Sequence, residues 1–385
     1  MRVTKLKAHN FKSLVDFELE LSPFNCLVGL NGSGKSTVLQ FIDFLSQQMR
    51  GDFDGWLASR SWKPKDLKSH LTKKGNIEFS VRIRDGQERS CTWEANFNTQ
   101  TLRCTWERII TPDVYLIVKQ GRLTIRTRPT STRIHPQLMP SPVAFEYQGS
   151  ILSQLLDVRL PAPLVELKEY FLAVRSHDLL SPELLRQRTR GSEGYLGLGG
   201  QKIAAFIHEL GDEKKARLAK QLKKVYPHLD AVLTRSLRSG WKQLEIVEHY
   251  GSKVPPFNTE ARHINDGLLR LMAILAVLES DHRFVLFDEI ENGINPELIE
   301  FVLDTLTTTR KQVLVTTHSP MILNYLEDEI ARSGVIYLYK TGQGATKATR
   351  FFSIPSLEKK LSVMGPGEAF ADTDLKALVA AMEML

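Results

Sequence analysis

Apolar and polar positions along this chain fall into distinct regimes. Residues 77–127 alternate with period two. Asn76-Ile77-Glu78-Phe79-Ser80-Val81-Arg82-Ile83-Arg84 runs into the turn dipeptide Asp85-Gly86, and later strand-like runs break near Asn98-Thr99 and Gln120-Gly121. Such alternation predicts an antiparallel meander with one buried face. Downstream the period lengthens and elements alternate: helix 267–278, strand 284–287, helix 296–306, strand 313–317, helix 320–330 and strand 335–339. That order predicts a parallel sheet covered by helices. Residues 151–225 read as mainly helical around a glycine-rich break at Gly191–Gly200, and 231–250 return to strand-like alternation about Ser239-Gly240. The opening residues predict strands at 3–8, 15–21 and 24–28, then a helix from Lys35 to Phe44. Residues 129–142, rich in Pro, Ser and Thr, read as an exposed loop. There is no internal repeat and no long heptad region.

The expected architecture is α/β: a mixed or parallel core sheet covered by helices, an antiparallel β subdomain and a helical insertion. The segments divide as 1–155, 156–225, 226–345 and 346–385. A chain of 385 residues with 42% apolar and 25% charged positions buries an ample core. It has no apolar run of membrane-spanning length and no signal-peptide pattern, so a cytoplasmic location without a membrane partner is expected. Three cysteines, Cys26, Cys91 and Cys104, are too few and too scattered for a disulfide framework or a zinc site. Cys91 and Cys104 sit in neighbouring strand-like runs and could face each other. The net charge of +7 is unevenly spread. Arg122, Arg126, Arg128 and Arg133 form one run, and Lys63, Lys65, Lys68, Lys73 and Lys74 another. Each reads as a solvated face or as a contact for DNA or RNA.

The most specific chemistry follows the apolar strand Phe24–Val28. Residues 29–37 read Gly-Leu-Asn-Gly-Ser-Gly-Lys-Ser-Thr, a phosphate-binding loop between a strand and a helix. Asn31, Gly32, Ser33, Gly34 and Thr37 would surround phosphate oxygens with backbone amides. Lys35 would reach the β- and γ-phosphates, and Ser36 would ligate Mg²⁺. This pattern predicts binding of a nucleoside triphosphate.

A second constellation lies far downstream. Phe284–Phe287 is an apolar strand ending in Asp288 and Glu289, a Walker B pattern. Asp288 would share the magnesium ion with Ser36. Glu289 would polarise the attacking water, which separates a hydrolase from a passive binder. One strand later comes Thr316-Thr317-His318-Ser319-Pro320, with His318 placed as a sensor of the γ-phosphate. Upstream, Asn265, Asp266 and Gly267 begin a helix whose N-terminus offers a further anion-binding surface. From sequence order this turn serves the ATP bound by a second copy of the chain.

The order of phosphate loop, signature helix, Walker B, acidic loop and histidine resembles the ABC-type ATPases. With Leu6-Lys7-Ala8-His9-Asn10-Phe11-Lys12-Ser13-Leu14 and the Thr-Thr-His-Ser-Pro run, it resembles their soluble branch: the RecF, SMC and OLD-like ATPases of DNA repair and antiphage defence. The resemblance covers at least residues 1–50 and 260–340. It implies an ABC-type head and an ATPase using ATP and Mg²⁺. It also implies a homodimer or higher homo-oligomer through an ATP sandwich, and a separate effector protein such as a nuclease or toxin. It further implies a glutamine after the meander that contacts Mg²⁺ and nucleotide, here Gln148 with Gln154 as the alternative, and a basic residue near the start, here Lys12. Two positions depart from the pattern: Asn265 replaces the usual signature serine, and Asn295 replaces the histidine before Pro296. A C-terminal TOPRIM nuclease, often carried by the OLD-like branch, is not expected, because Asp372-Thr373-Asp374 reads as a helix N-cap region.

Two other readings stand beside this one. A transporter's nucleotide-binding subunit is disfavoured by Asn-Asp-Gly-Leu-Leu-Arg where a Ser-Gly-Gly-Gln type is usual. An ATP-binding scaffold with negligible turnover is disfavoured by the intact Glu289 and His318.

Overall fold

A computed structural model describes residues 1–127, 141–177 and 181–383. Along the chain run β1 (Arg2–His9), β2 (Phe17–Glu20), β3 (Phe24–Val28), α1 (Lys35–Arg50) and α2 (Phe53–Ser59). The meander follows as β4 (Ile77–Arg84), β5 (Ser90–Asn98), β6 (Arg103–Ile110), β7 (Val114–Lys119), β8 (Arg122–Thr127) and β9 (Ser141–Pro142). Next come α3 (Ala162–Leu172), β10 (Val174–His177), α4 (Pro182–Leu185), α5 (Ile203–Lys223), β11 (Leu229–Ser236), β12 (Lys242–Glu248) and β13 (Phe257–Glu260). The distal part holds α6 (Asp266–Glu279), β14 (Phe284–Phe287), α7 (Pro296–Thr308), β15 (Gln312–Thr316) and α8 (Asp328–Gly334). It ends with β16 (Val335–Lys340), β17 (Thr346–Arg350), α9 (Pro355–Leu361), α10 (Pro366–Ala371) and α11 (Leu375–Glu383). Two compact units result. The first takes Met1–Val174, Arg332–Val363 and Asp372–Leu385, and the second takes Arg175–Ala331 and Met364–Ala371. They cut across the four sequential segments expected above.

In the first unit, β1, β2 and β4 to β9 form an antiparallel sheet in the order β2-β1-β4-β5-β6-β7-β8-β9. Its alternation buries Ile77, Phe79, Val81 and Ile83 on one face. Against that face lies α1, whose buried side includes Val38, Phe41, Ile42, Phe44 and Leu45. The Phe44 ring is the hub, meeting Phe97 edge-on at 5.1 Å and Phe79 edge-on at 6.1 Å. Edge-to-face packing of this kind adds to area burial and fixes the helix rotationally. Beside it, β3 pairs in parallel with β16, and β16 pairs antiparallel with β17. All five residues of β3 are buried, as expected for a strand covered on both faces.

In the second unit, β14 and β15 pair in parallel with Phe287 opposite Val315, and every residue of both strands is buried. A separate antiparallel sheet runs β11-β12-β13. The basic stretch Lys214–Lys224 lies on α5, which breaks at Gly211 (φ 80°). Its charges are answered locally: Lys214 by Asp281, Arg217 by Glu279 and Lys223 by Asp230.

Several expectations change in detail. Residues 320–330 are not one helix but a 3-10 stretch (Pro320–Tyr325) followed by α8. Cys91 and Cys104 do not face each other, because Thr92 pairs with Ile110 while Cys104 pairs with Phe97. Both thiols are buried, and burial pushes that of Cys91 up to about 12 and that of Cys104 well above its ordinary value. Asp374 caps α11 by accepting the Lys376 and Ala377 amides, so the Asp372–Asp374 stretch has the helix-cap role expected of it. Arg122 and Arg126 stand exposed on β8, whereas Arg128 and Arg133 lie outside the described residues.

Candidate nucleotide site

The first unit builds the phosphate loop. Strand β3 ends at Val28, and the chain curls through Gly29, Gly32 and Gly34, whose φ values are 149°, 77° and 108°. A side chain at Gly29 would drive its Cβ to 2.2 Å from the Leu338 carbonyl oxygen, so the close approach to β16 needs glycine. Gly34 begins α1 with no side-chain cap, leaving a helix N-terminus and its positive dipole end at the loop. Lys35 is buried, and its Nζ donates to the Gly29 carbonyl at 2.7 Å and the Leu30 carbonyl at 3.3 Å. A buried ammonium inside a loop of curled amides is the donor set that a polyphosphate requires. Asn31, Gly32 and Ser36 are exposed, Thr37 is half-buried, and Ser33 is buried with its carbonyl held by Thr346 Oγ1 at 3.0 Å. The triphosphate of a nucleotide therefore fits this loop.

Lys12 sits in the β1–β2 turn, where Nζ donates to Gln40 of α1 at 2.7 Å and lies 3.4 Å above the Trp62 ring. It is thus on the first turns of the helix that leaves the loop. Gln148 is not. Gly149 packs against the Gln48 carbonyl at the C-terminal end of α1, where Ser150 N–H also donates to Gln48. Thirteen residues of helix separate Lys35 from Gln48, about 20 Å of rise. Gln148 accepts the Phe53 amide at 2.7 Å and donates to Asp54 at 2.6 Å, bracing α2. The expected contacts of Gln148 with metal and nucleotide are therefore corrected: helix α1 carries the post-meander segment away from the loop. Gln154, beyond the 3-10 turn Ile151–Ser153, lies at that same end.

The second unit builds the carboxylate pair. At the tip of β14, Asp288 Oδ1 accepts the Thr316 hydroxyl at 2.5 Å, and Thr316 Oγ1 in turn accepts the Glu289 N–H at 2.8 Å. One hydroxyl on β15 thus orients both acids. Glu289 has φ 48°, a left-handed conformation uncommon for a residue with a Cβ. Its Oε1 lies 3.4 Å from His318 Nε2. His318 is held from behind: Glu291 Oε1 accepts the His318 amide at 2.8 Å, the Ser319 amide at 3.2 Å and the Thr317 hydroxyl at 2.9 Å. Glu289 and His318 thus stand side by side beyond the tips of the paired strands β14 and β15.

The signature turn belongs to this unit. Asn265 caps α6, its Oδ1 accepting the Leu268 amide at 2.9 Å. Asn265 and Asp266 are exposed and Gly267 half-buried. Arg186 ties this turn down, donating to the Ile264 carbonyl at 2.9 Å and to the Asp266 carboxylate. Sequence reasoning assigned no role to Thr316, Glu291, Arg186 or Thr346. Thr316 stood within the Thr-Thr-His-Ser-Pro run and Glu291 opens the acidic loop Glu291-Asn292-Gly293-Ile294-Asn295-Pro296, but nothing local marked Arg186 or Thr346. Among the described residues, no cluster of three or more His, Cys, Asp or Glu side chains forms a metal cage. No helix among them is long and apolar enough to cross a membrane.

The chain is similar in fold to an SmcHead solved with the C-winged helix domain of ScpA, at TM-score 0.53 and 14% identity over 91% of this chain and 98% of that one. A second likeness is to an Smc head domain with an extended coiled coil, bound to the C-terminal domain of ScpA derived from Pyrococcus furiosus. There the TM-score is 0.51 and the identity 13% over 94% of this chain and 99% of that one. The architecture is accordingly that of an Smc head. The profile of the family described as AAA ATPase domain matches residues 1–194, just over half of the sequence, and the chain belongs to that family. A second profile, AAA domain, putative AbiEii toxin, Type IV TA system, matches residues 217–324. Over 80 residues the chain is 35% identical to an OLD nuclease of Thermus scotoductus, a stretch of 20% of this chain and 14% of that protein.

Proposed function

We propose that this protein is an ATPase that closes as a homodimer around ATP and Mg²⁺, hydrolyses the nucleotide and reopens. In this reading Lys35 and the loop amides hold the triphosphate, with Lys12 leaning on it. Ser36 and Asp288 hold the magnesium ion, which when bound neutralises charge on the phosphate oxygens. Glu289 takes the proton of the attacking water and His318 orients it. Asn265, Asp266 and Gly267 serve the nucleotide of the partner copy; the exposed Asn265 supplies an amide donor there, and Arg186 offsets the charge of Asp266. The observation that carries the proposal is the second carboxylate. Glu289 follows a metal-type aspartate at a strand tip, is held by Thr316 and faces a histidine anchored by Glu291.

The cycle controls a separate effector protein, or DNA or RNA, in the cytoplasm. The likeness to a toxin–antitoxin family and to an OLD nuclease supports a role in antiviral defence, with DNA repair beside it. The test is Glu289→Gln. It is expected to keep ATP binding, lose turnover and accumulate as a closed oligomer in sedimentation with ATP and Mg²⁺. Lys35→Ala is the control and should lose ATP-dependent thermal stabilisation. Unchanged mass together with undiminished hydrolysis in Glu289→Gln would refute the proposal.

A further inference from the structure

Arg270 lies in the first turns of α6, within the helix that starts at the signature turn. Its Nη1 donates to the carbonyl of Asn292, in the loop that follows Glu289. Its Nε is buried and has no hydrogen-bond partner. The guanidinium reaches this place because residue 293 is glycine. A Cβ there would stand 2.7 Å from Nε and 2.8 Å from Cζ, and φ at Gly293 is 68°. The approach continues on the other side, where a Cβ on Gly267 would come within 3.5 Å of the Gly293 carbonyl. Helix α6 and loop 291–295 thus approach closely at Gly267 and Gly293, with the Arg270 guanidinium packed on Gly293.

The loop is in turn tied to the reactive carboxylate. Asn292 N–H donates to the Glu289 carbonyl at 2.9 Å, and Asn292 Nδ2 stands 3.4 Å from Glu289 Oε2. A cavity of about 20 Å³ between them is lined by Arg270, Asp288, Glu289 and Asn292 together with apolar neighbours. Burial lowers the Arg270 pKa, while Asp266 and Glu289 act to raise it, so the group stays a cation facing both acids. A buried guanidinium with one bond made and a free donor is costly unless its position matters.

We propose that Arg270 is a positioning residue that links the signature turn to Glu289. When an anion loads Asn265 and Gly267, a shift of α6 moves the guanidinium, the Asn292 carbonyl follows, and the Asn292 side chain re-aims the carboxylate. This rests on the reading of Glu289 as the group that activates water.

The test compares Arg270→Met, Arg270→Lys and Gly293→Ala with the wild type, Gly293→Ala displacing the guanidinium without removing it. MgATP affinity is measured by equilibrium binding, kcat and KM in the steady state, and hydrogen exchange at the Asn292 and Gly293 amides. Misplacement of a reacting group by about 1 Å costs on the order of 100-fold, so Arg270→Met and Gly293→Ala are expected to lose about 10- to 100-fold in kcat. KM and ATP affinity should stay within about twofold. Arg270→Lys should recover part of the rate, and exchange at residues 292–293 should quicken in Arg270→Met. Wild-type kcat in Arg270→Met overturns the inference, as does a loss of ATP binding that matches the loss of rate. Equal turnover by Glu289→Gln and the wild type, or none by either, would instead overturn the reading of Glu289 and this inference with it.

Discussion

Thr346 Oγ1 donates to the Ser33 carbonyl at 3.0 Å and lies 2.8 Å from Ser13 Oγ, while the Thr346 amide donates to the Ser13 carbonyl. One fully buried threonine at the start of β17 therefore clamps the phosphate loop to the β1–β2 turn that carries Lys12. A Cβ on Gly34 would fall 2.4 Å from that hydroxyl, so the clamp touches the loop at the residue where α1 begins.

Replacing Thr346 with Val keeps the shape and removes the hydroxyl. The Ser33 carbonyl then loses a partner in a buried place, a loss of about 1–2 kcal/mol. If that loss falls on the nucleotide-competent loop, MgATP affinity drops about 5- to 30-fold. Isothermal titration of Thr346→Val and Thr346→Ser is the check, with the serine variant close to wild type.

Thr316 plays the matching part for the carboxylates. In Thr316→Val, Asp288 loses its donor and the Glu289 amide its acceptor. Turnover should fall about 10- to 100-fold while ATP-dependent thermal stabilisation persists in reduced form. A rate within about twofold of wild type would show that the hydroxyl does not set the acids.

Lys311 supplies a pH signature. Its Nζ donates to the Ser280 and His282 carbonyls at 2.6 and 2.5 Å, and burial draws its pKa from 10.5 down to about 8. Between those values the unfolded chain binds more protons than the folded one, so this group adds stability as pH rises from about 8 to 10.5. Lys311→Met lacks that slope. Chemical denaturation across the window should show the wild type gaining on the variant by on the order of 1 kcal/mol, because partial solvent contact screens the full linkage value.

The parts legible in the sequence were those written in contiguous residues. Phe24–Val28, apolar but for Asn25, and the wholly apolar Phe284–Phe287 are runs bounded by turns, and they form strands over those same residues. Helix α1 runs past Phe44 to Arg50 because Gln47 and Gln48, polar by type, are buried with partners of their own. Their polarity disguised the continuing helix. Gln148 was misplaced because position after the meander says nothing of which end of α1 receives the chain. Arg186, Arg270 and Thr346 escaped notice for a shared reason: each acts on backbone or side chains distant in sequence, or through a turn whose geometry only the fold reveals.

The parallel pairing of β3 with β16 has a consequence for biosynthesis. The glycine cradle is translated within the first forty residues, yet the strand beside it and the Thr346 clamp emerge only when residues 335–346 leave the ribosome. A nascent chain carries the motif long before it can grip a triphosphate. Products that stop before residue 346 should be inert toward nucleotide despite an intact loop, and competence arrives only once that strand and clamp have emerged.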